Sequence, residues 1–145
     1  MDFDVNVRIL ITRLGVFDHM SDGLTRTITV WIYDRDAITE QASLIFFPGA
    51  GELIGGSRFK DLDDPLPLAL GFQGTIDAEG YGILERNGNQ PHYSFVQDAW
   101  WTTFDGGCSI RFVGGGRFNG APGVFPDILD NGPANRYAGG TFAFE

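Results

Sequence analysis

Val113–Ala121 reads VGGGRFNGA, and Gly139–Phe144 reads GGTFAF. The first stretch places a glycine cluster before Arg117 and Phe118, and the second ends the chain in a short apolar segment. Glycine adopts positive φ without steric penalty, so such clusters are typical of points where β-strands change direction. Gly55–Phe59 (GGSRF) echoes the same order of residues. These stretches predict antiparallel strands that meet at a glycine-rich rim.

The composition favours one globular all-β domain spanning residues 1–145. The chain has 145 residues, of which 43% are hydrophobic and 20% charged, a range typical of folded proteins. It carries 13 Phe, 4 Tyr and 3 Trp, and aromatic residues favour strands. Together with 21 glycines, they predict many short strands separated by turns.

Charge and cysteine content exclude several classes of function. The net charge of −9 argues against binding to nucleic acid and to anionic membranes, both of which require a cationic surface. Cys108 is the single cysteine, which rules out an internal disulfide framework, and with only His19 and His92 beside it a zinc site is not expected. Neither a signal peptide at Met1–Asp4 nor a membrane-spanning run is visible, so a cytoplasmic protein is expected.

Alternating apolar residues predict a single antiparallel β-barrel of roughly eight to ten strands with an aromatic interior, because closure removes exposed edges. Lys60–Pro67 is the most polar stretch and is predicted to be a solvated loop, and one short helical turn is allowed around Asp127–Leu129. The predicted strands cover Val5–Arg13, Thr27–Tyr33, Ala42–Phe47, Glu52–Phe59, Leu70–Ile76, Gly80–Arg86, Pro91–Phe104, Gly107–Val113 and the C-terminal segment.

Two turns set the register of the later strands. Asn87-Gly88 is the strongest short-range hairpin signal in the chain, and Asp105-Gly106 is read as a second two-residue turn. With this register, the apolar and therefore inward face carries Leu84, Tyr93, Phe95, Gln97, Trp101, Ile110 and Phe112. The outward face carries Tyr81, Glu85, His92, Asp98, Trp100 and Arg111.

Familiar catalytic and cofactor motifs are absent from the sequence. There is no Gly-x-Ser-x-Gly elbow for a hydrolytic triad and no Gly-x-x-x-x-Gly-Lys-Ser/Thr loop for a nucleotide. No metal and no cofactor are expected. Arg58 and Arg117 each follow glycines and precede phenylalanine, and two interpretations stay open: a salt bridge at the barrel rim, or a contact with an anionic group of a ligand.

The C-terminal third resembles the allene oxide cyclase and dirigent type of β-barrel, whose bacterial relatives include spirotetronate-forming cyclases. In that family the last third often reads Gly-x-Gly-Arg-Phe-x-Gly-Ala before a final strand, which matches Gly114–Ala121 and the closing segment. The resemblance implies a barrel lumen that folds a flexible apolar substrate for intramolecular ring closure. Only this region matches, so no catalytic residue of the family is carried over.

Register and resemblance together predict a cofactor-independent cyclase or isomerase of secondary metabolism, acting on a polyketide-like or oxylipin-like substrate. Such chemistry needs a substrate folded into a reactive conformer and kept from water, with a hydrogen-bond donor near a carbonyl. Tyr93 is the predicted donor and Gln97 the predicted orienting group. The predicted substrate-binding residues are Leu84, Phe95, Trp101, Phe112, Val30 and Arg117.

Other interpretations stay open. A lipocalin-like barrel that binds a small hydrophobic ligand without turnover fits the same aromatic interior. A structural or carbohydrate-binding β-sandwich would have a filled interior and use the face with His92 and Trp100. Related barrels associate, so a homodimer or homotrimer is expected, with Trp100 as a candidate anchor.

Overall fold

A computed structural model describes residues 1–87, 106–114, 116–118, 121–130 and 139–145 of the chain. Within these ranges the protein is all-β, and no helix there is long and apolar enough to cross a membrane. One short 3-10 turn covers His19–Ser21. The strands are β1 (Asp2–Val5), β2 (Ile9–Phe17), β3 (Ile28–Asp34), β4 (Thr39–Phe46), β5 (Glu52–Ile54), β6 (Ser57–Leu68), β7 (Gln73–Glu79), β8 (Ile110–Phe112), β9 (Gly116–Phe118), β10 (Ile128–Asp130) and β11 (Gly140–Phe144).

The described strands pair antiparallel in three sheets, one of which is a half-barrel. The largest is a 5-stranded sheet in the order β4-β3-β7-β1-β8. A 4-stranded sheet runs β11-β2-β6-β5, and β9 and β10 form a hairpin-like pair. The predicted all-β, antiparallel class is confirmed.

The core lies between the two large sheets. Ile28, Val30 and Ile32 alternate along β3 and are fully buried, as their period-two spacing predicts. Phe3 on β1 is also fully buried, and it pairs with Gly74 on β7. A Cβ on Gly74 would overlap the Phe3 ring, so glycine at that position is what allows the ring to lie flat across the neighbouring strand.

The first predicted strand, Val5–Arg13, is in fact two strands. The chain leaves the 5-stranded sheet after Val5 and enters the 4-stranded sheet at Ile9, so the residues between them cannot continue one ladder. Val7 is accordingly 50% exposed. The backbone nitrogens of Asn6 and Val7 both donate to the carbonyl of Ser109, which fixes the crossing point.

The predicted loop Lys60–Pro67 is wrong, because these residues belong to the long strand β6. β5 pairs with β6 only from Ser57 to Phe59, so the later part of β6 has one ladder, with β2. The register against β2 also shifts between Leu66 and Asp61. An edge position and a bulge are where a strand tolerates proline, which explains Pro65 and Pro67.

Three further expectations are corrected. Glu52–Phe59 is a hairpin that turns at Gly55-Gly56, both with positive φ, rather than one strand. Ile128–Asp130 is a strand paired with β9, so the short helical turn that the sequence allowed there does not form. Gly80–Arg86 forms bends instead of a strand, so alternation does not predict its faces.

Candidate functional site

The outer surface of the 5-stranded sheet is polar, and it is the surface on which a site is built. Directly paired residues of antiparallel strands project to the same side of a sheet. Trp31 pairs with Asp77, Tyr33 with Thr75, and Thr75 with Asp2. We define the polar face as the side chains of Asp2, Asp4, Thr29, Trp31, Tyr33, Thr75, Asp77 and Glu79.

Residues 116–118 and 121–130, here called the covering segment, lie over this polar face. The Arg117 guanidinium donates from Nε to both carboxylate oxygens of Asp2, at 2.8 and 2.9 Å. The backbone nitrogen of Gly123 donates to Glu79 Oε2 at 2.9 Å. The Phe125 ring meets Tyr33 edge-on, with 5.6 Å between ring centroids. Three anchors of different chemistry therefore hold the segment to the sheet.

A cleft of about 900 Å³ lies between the polar face and the covering segment. Its volume is within the range of small-molecule sites. Thr29, Trp31, Asp77 and Glu79 line it from the sheet, and Phe118, Pro122 and Pro126 line it from the covering segment. The lining combines a large aromatic surface with two carboxylates.

Asp77 is the chemically distinctive residue of this cleft. Its Oδ2 atom is buried and accepts no hydrogen bond within the described part of the protein. Burial raises the pKa of Asp77 to about 6, helped by the nearby Glu79 carboxylate, and a hydrogen bond from the Ala78 amide and the charge of the Met1 amino group act in the opposite direction. A carboxyl group that changes protonation near neutral pH is suited to proton transfer.

Tyr81 closes one end of the cleft in a fixed position. Its hydroxyl lies 2.7 Å from the carbonyl oxygen of Gly139 and 3.2 Å from that of Phe17. Burial raises the pKa of this tyrosine above its ordinary value. The hydroxyl proton is therefore committed to the protein, and we assign Tyr81 a structural role.

Ion pairs hold the other charged groups near the sheet. Burial alone would raise the pKa of Asp4, but hydrogen bonds from Arg35 and Arg111 lower that pKa below its ordinary value. Away from the polar face, Arg58 Nε donates to the fully buried Asp18 at 2.6 Å. Arg58 and Arg117 thus both form salt bridges with aspartates, in line with the first interpretation of their sequence pattern, and their position at a barrel rim stays a prediction.

Four predicted site residues are described, and they do not converge. Val30 is fully buried in the core, and Phe112 packs half-buried against the core. Leu84 was expected to point inward but is 77% exposed, because its segment bends instead of forming a strand. Arg117 does line the cleft, with its guanidinium bound to Asp2. Tyr93, Phe95, Gln97 and Trp101 lie outside the described residues.

The same bends bury Glu85 completely and Tyr81 in part, whereas the predicted register placed both on the outward face. Glu85 is fully buried, and its carboxylate accepts from the His19 and Thr25 amides at 2.8 Å each and from the Thr25 hydroxyl. In β8, Ile110 is buried and the Arg111 side chain is 69% exposed, as their predicted faces require. The predicted register of this strand against Pro91–Phe104 falls on residues outside the described ranges.

Asp77, Glu79 and Trp31 were not among the residues that the sequence predicted for a site. The signal was present in β3, where Trp31 and Tyr33 alternate with the buried Ile28, Val30 and Ile32. Large aromatic side chains on one face of a strand and buried aliphatic side chains on the other indicate that both faces are covered. Among the described residues, no three His, Cys, Asp or Glu side chains are grouped to hold a metal ion.

No protein-family model matches the chain, and comparisons with curated proteins and with solved structures give no match either. The resemblance to allene oxide cyclase and dirigent barrels therefore stays a prediction.

Proposed function

We propose that the protein is a cofactor-independent isomerase or cyclase whose substrate binds in the cleft over the polar face, with Asp77 as the group that moves a proton. The observation that carries the proposal is the buried Oδ2 of Asp77, which has no hydrogen-bond donor among the described residues, in a cleft of about 900 Å³. Buried polar atoms are nearly always paired, and exceptions concentrate at functional sites.

The proposed reaction begins with proton removal by the Asp77 carboxylate from a carbon next to a carbonyl group. The electron pair of that C–H bond forms the double bond of an enol or enolate. Return of the proton from Asp77 to a different carbon gives the isomer. For ring closure, the enolate carbon attacks a second carbonyl carbon of the same molecule, the π electrons of that C=O bond move to its oxygen, and Asp77 returns the proton to that oxygen. Neither outcome consumes a proton overall, and neither needs an external oxidant or reductant.

The walls of the cleft supply the remaining requirements of such a reaction. Trp31 and Phe118 offer apolar surface against which a flexible substrate can be held in a reactive conformer. The covering segment shields the reacting atoms from water, which strengthens the interaction between substrate and carboxylate. This assignment keeps the class of reaction expected from the sequence but moves it from a barrel lumen to the polar face.

We further propose that the sheets belong to one closed barrel of roughly eight to ten strands, a geometry that removes exposed edges. The antiparallel pairing and the half-barrel support it. The homodimer or homotrimer and the cytoplasmic location stay predictions.

The test is hydrogen exchange in heavy water. A panel of small cyclic and open-chain ketones and enones is incubated with the protein, and NMR follows the loss of α-proton signals. We expect the wild-type protein to catalyse exchange of the probes that bind, and Asp77→Asn to slow it by about a hundredfold or more, the usual contribution of a positioned acid–base group.

Asp64→Asn is the matched control, since Asp64 is an exposed carboxylate on β6, in the other large sheet. It should exchange at the wild-type rate. An Asp77→Asn protein that binds and exchanges its probes as fast as wild type would overturn the role of Asp77. Binding without exchange by the wild-type protein would favour the ligand-carrier alternative.

A further inference from the structure

A second cavity, of about 680 Å³, lies further along the polar face. It shares Ala121 and Gly123 with the first cleft and extends toward the turn between β3 and β4. Tyr33 and Glu40 line it from the sheet, and Phe125 and Asp127 line it from the covering segment. The proposed acid–base chemistry does not use this space.

Tyr33 lines the cavity from the sheet and is almost completely buried. The residue is only 4% exposed, and its Oη atom has no hydrogen-bond partner in the described part of the chain. Burial raises the pKa of Tyr33 to about 12, and the carboxylates of Asp77, Glu40 and Glu79 add to that effect. The hydroxyl therefore stays neutral and keeps its oxygen available to accept a hydrogen bond.

The charge around this cavity has one sign. Glu40 and Asp127 are its charged lining residues among those described, and both are exposed. Within the described residues, the Glu40 carboxylate accepts a hydrogen bond from the Ser43 hydroxyl at 2.6 Å and has capacity to accept more. The nearby cation Arg117 is bound to Asp2 and lies over the Phe125 ring, 5.3 Å from its centroid. An anionic ligand would be repelled here, and a cation would be attracted.

The rest of the lining is apolar and includes Ile38, Val124 and Phe125. A bare inorganic cation would gain nothing from these walls, whereas an organic cation would bury its hydrocarbon part against them. Acidic groups beside aromatic and aliphatic side chains are a suitable environment for an ammonium group carried on an apolar body.

We infer that this second cavity binds an organic ammonium ion, whose N–H donates to Tyr33 Oη and whose charge is balanced by Glu40 and Asp127. The ligand accounts for the unpaired hydroxyl, for the single sign of charge and for the apolar walls. This cavity adjoins the cleft that contains Asp77, and the inference does not depend on the proposed reaction.

Benzylammonium and benzyl alcohol are suitable probes because they have nearly the same shape and differ in charge. Their dissociation constants are measured by NMR titration of backbone amides, with the shifts mapped onto the chain. We expect benzylammonium to bind at least tenfold more tightly than benzyl alcohol, and its largest shifts to include Tyr33 and Ile38. Equal affinities, or shifts confined to other regions, would overturn the inference.

Variants identify the groups responsible. Tyr33→Phe should weaken benzylammonium binding about tenfold, the usual effect of losing a hydrogen bond to a charged group. Glu40→Gln should weaken it about threefold and leave benzyl alcohol binding unchanged. Asp36→Asn is the charge-matched control, because Asp36 is exposed in the turn between β3 and β4, close to Glu40 in sequence, and does not line the cavity.

Glu40 is exposed, so Glu40→Gln is expected to fold. This variant still tests the inference if Tyr33→Phe fails to fold. An equal loss of affinity in Asp36→Asn and Glu40→Gln would show general attraction to an acidic surface rather than a site. That result would also overturn the inference.

Discussion

The two faces of the 5-stranded sheet are built by the same strands and have opposite character. On the inner face, Phe3, Val30 and Ile32 are fully buried against the 4-stranded sheet. On the outer face, the alternate residues include Trp31, Tyr33 and Asp77, and the covering segment leaves two cavities above them. The inner face excludes water by close packing of apolar side chains, whereas the outer face is closed by a few directional contacts.

This difference separates stability from chemistry within one sheet. Close packing contributes free energy at every residue of the inner face but leaves no room for a ligand. The anchors of the outer face, such as the Arg117 and Asp2 pair, hold a segment in place without filling the space beneath it. Unpaired polar atoms are therefore tolerated on the outer face, where a ligand is able to satisfy them.

The largest expected effect comes from deleting a side chain on the inner face. Phe3→Ala should lower the free energy of unfolding by about 3–5 kcal/mol, because it removes a fully buried ring that covers Gly74. Thr29→Ala on the polar face should change it by less than about 1 kcal/mol. Urea denaturation of both variants measures the contrast, and similar losses would mean that the two faces are packed equally tightly.

A smaller effect is expected from the titration of Asp77. Burial raises the pKa of Asp77 to about 6 from the ordinary value of 3.8. The folded protein thus holds this proton more strongly than the unfolded chain, and the stabilising contribution is complete below pH 3.8 and is lost as the pH rises to about 6. At higher pH the folded protein carries a buried, disfavoured charge.

Asp77→Asn removes that disfavoured charge. Its stability relative to wild type should therefore rise between pH 4 and pH 7 by on the order of 2 kcal/mol. Glu79 and the Met1 amino group also face Asp77, so the quantity to compare is the difference between the two proteins at each pH. A difference that does not vary with pH would show that Asp77 titrates normally and would remove one support for its acid–base role.

The contrast between the faces explains which parts of the fold the sequence could predict. The inner face of β3 was predictable because Ile28, Val30 and Ile32 alternate without interruption. The closing strand was likewise indicated by its glycines and the alternation of Phe142 and Phe144. In such segments the local pattern and the tertiary packing require the same residues.

The misses lie where tertiary contacts override the local pattern. Pro65 and Pro67 predict a loop, and only the free side and the bulge of β6 allow a strand there. Glu85 is a buried carboxylate that accepts a hydrogen bond from the amide of His19, more than sixty residues away in sequence. No local pattern encodes such a contact.

Asp77 lies one residue beyond the predicted end of its strand. Its place in a cleft depends on the covering segment, which lies about forty residues further along the chain. The predicted donor Tyr93 lies outside the described residues, so that part of the site stays a prediction.

The smallest expected effects distinguish two buried tyrosines with different surroundings. The Tyr81 hydroxyl contacts the carbonyl oxygens of Gly139 and Phe17, whereas Tyr33 Oη has no partner among the described residues. Tyr81→Phe should therefore lower the free energy of unfolding by about 1 kcal/mol, because it removes a hydroxyl that donates a hydrogen bond within the folded protein. Tyr33→Phe removes only an unsatisfied hydroxyl and should leave stability unchanged or raise it slightly.

Both variants retain the aromatic ring, so the comparison isolates the hydroxyl in each environment. Urea denaturation in the absence of ligand is the measurement, since an ammonium ligand would stabilise the wild-type protein and conceal the difference. A loss at Tyr33 as large as that at Tyr81 would mean that an ordered water or another group already satisfies Oη. The hydroxyl would then contribute to stability, and the polar face would lose the open hydrogen-bond acceptor that makes its second cavity a binding site.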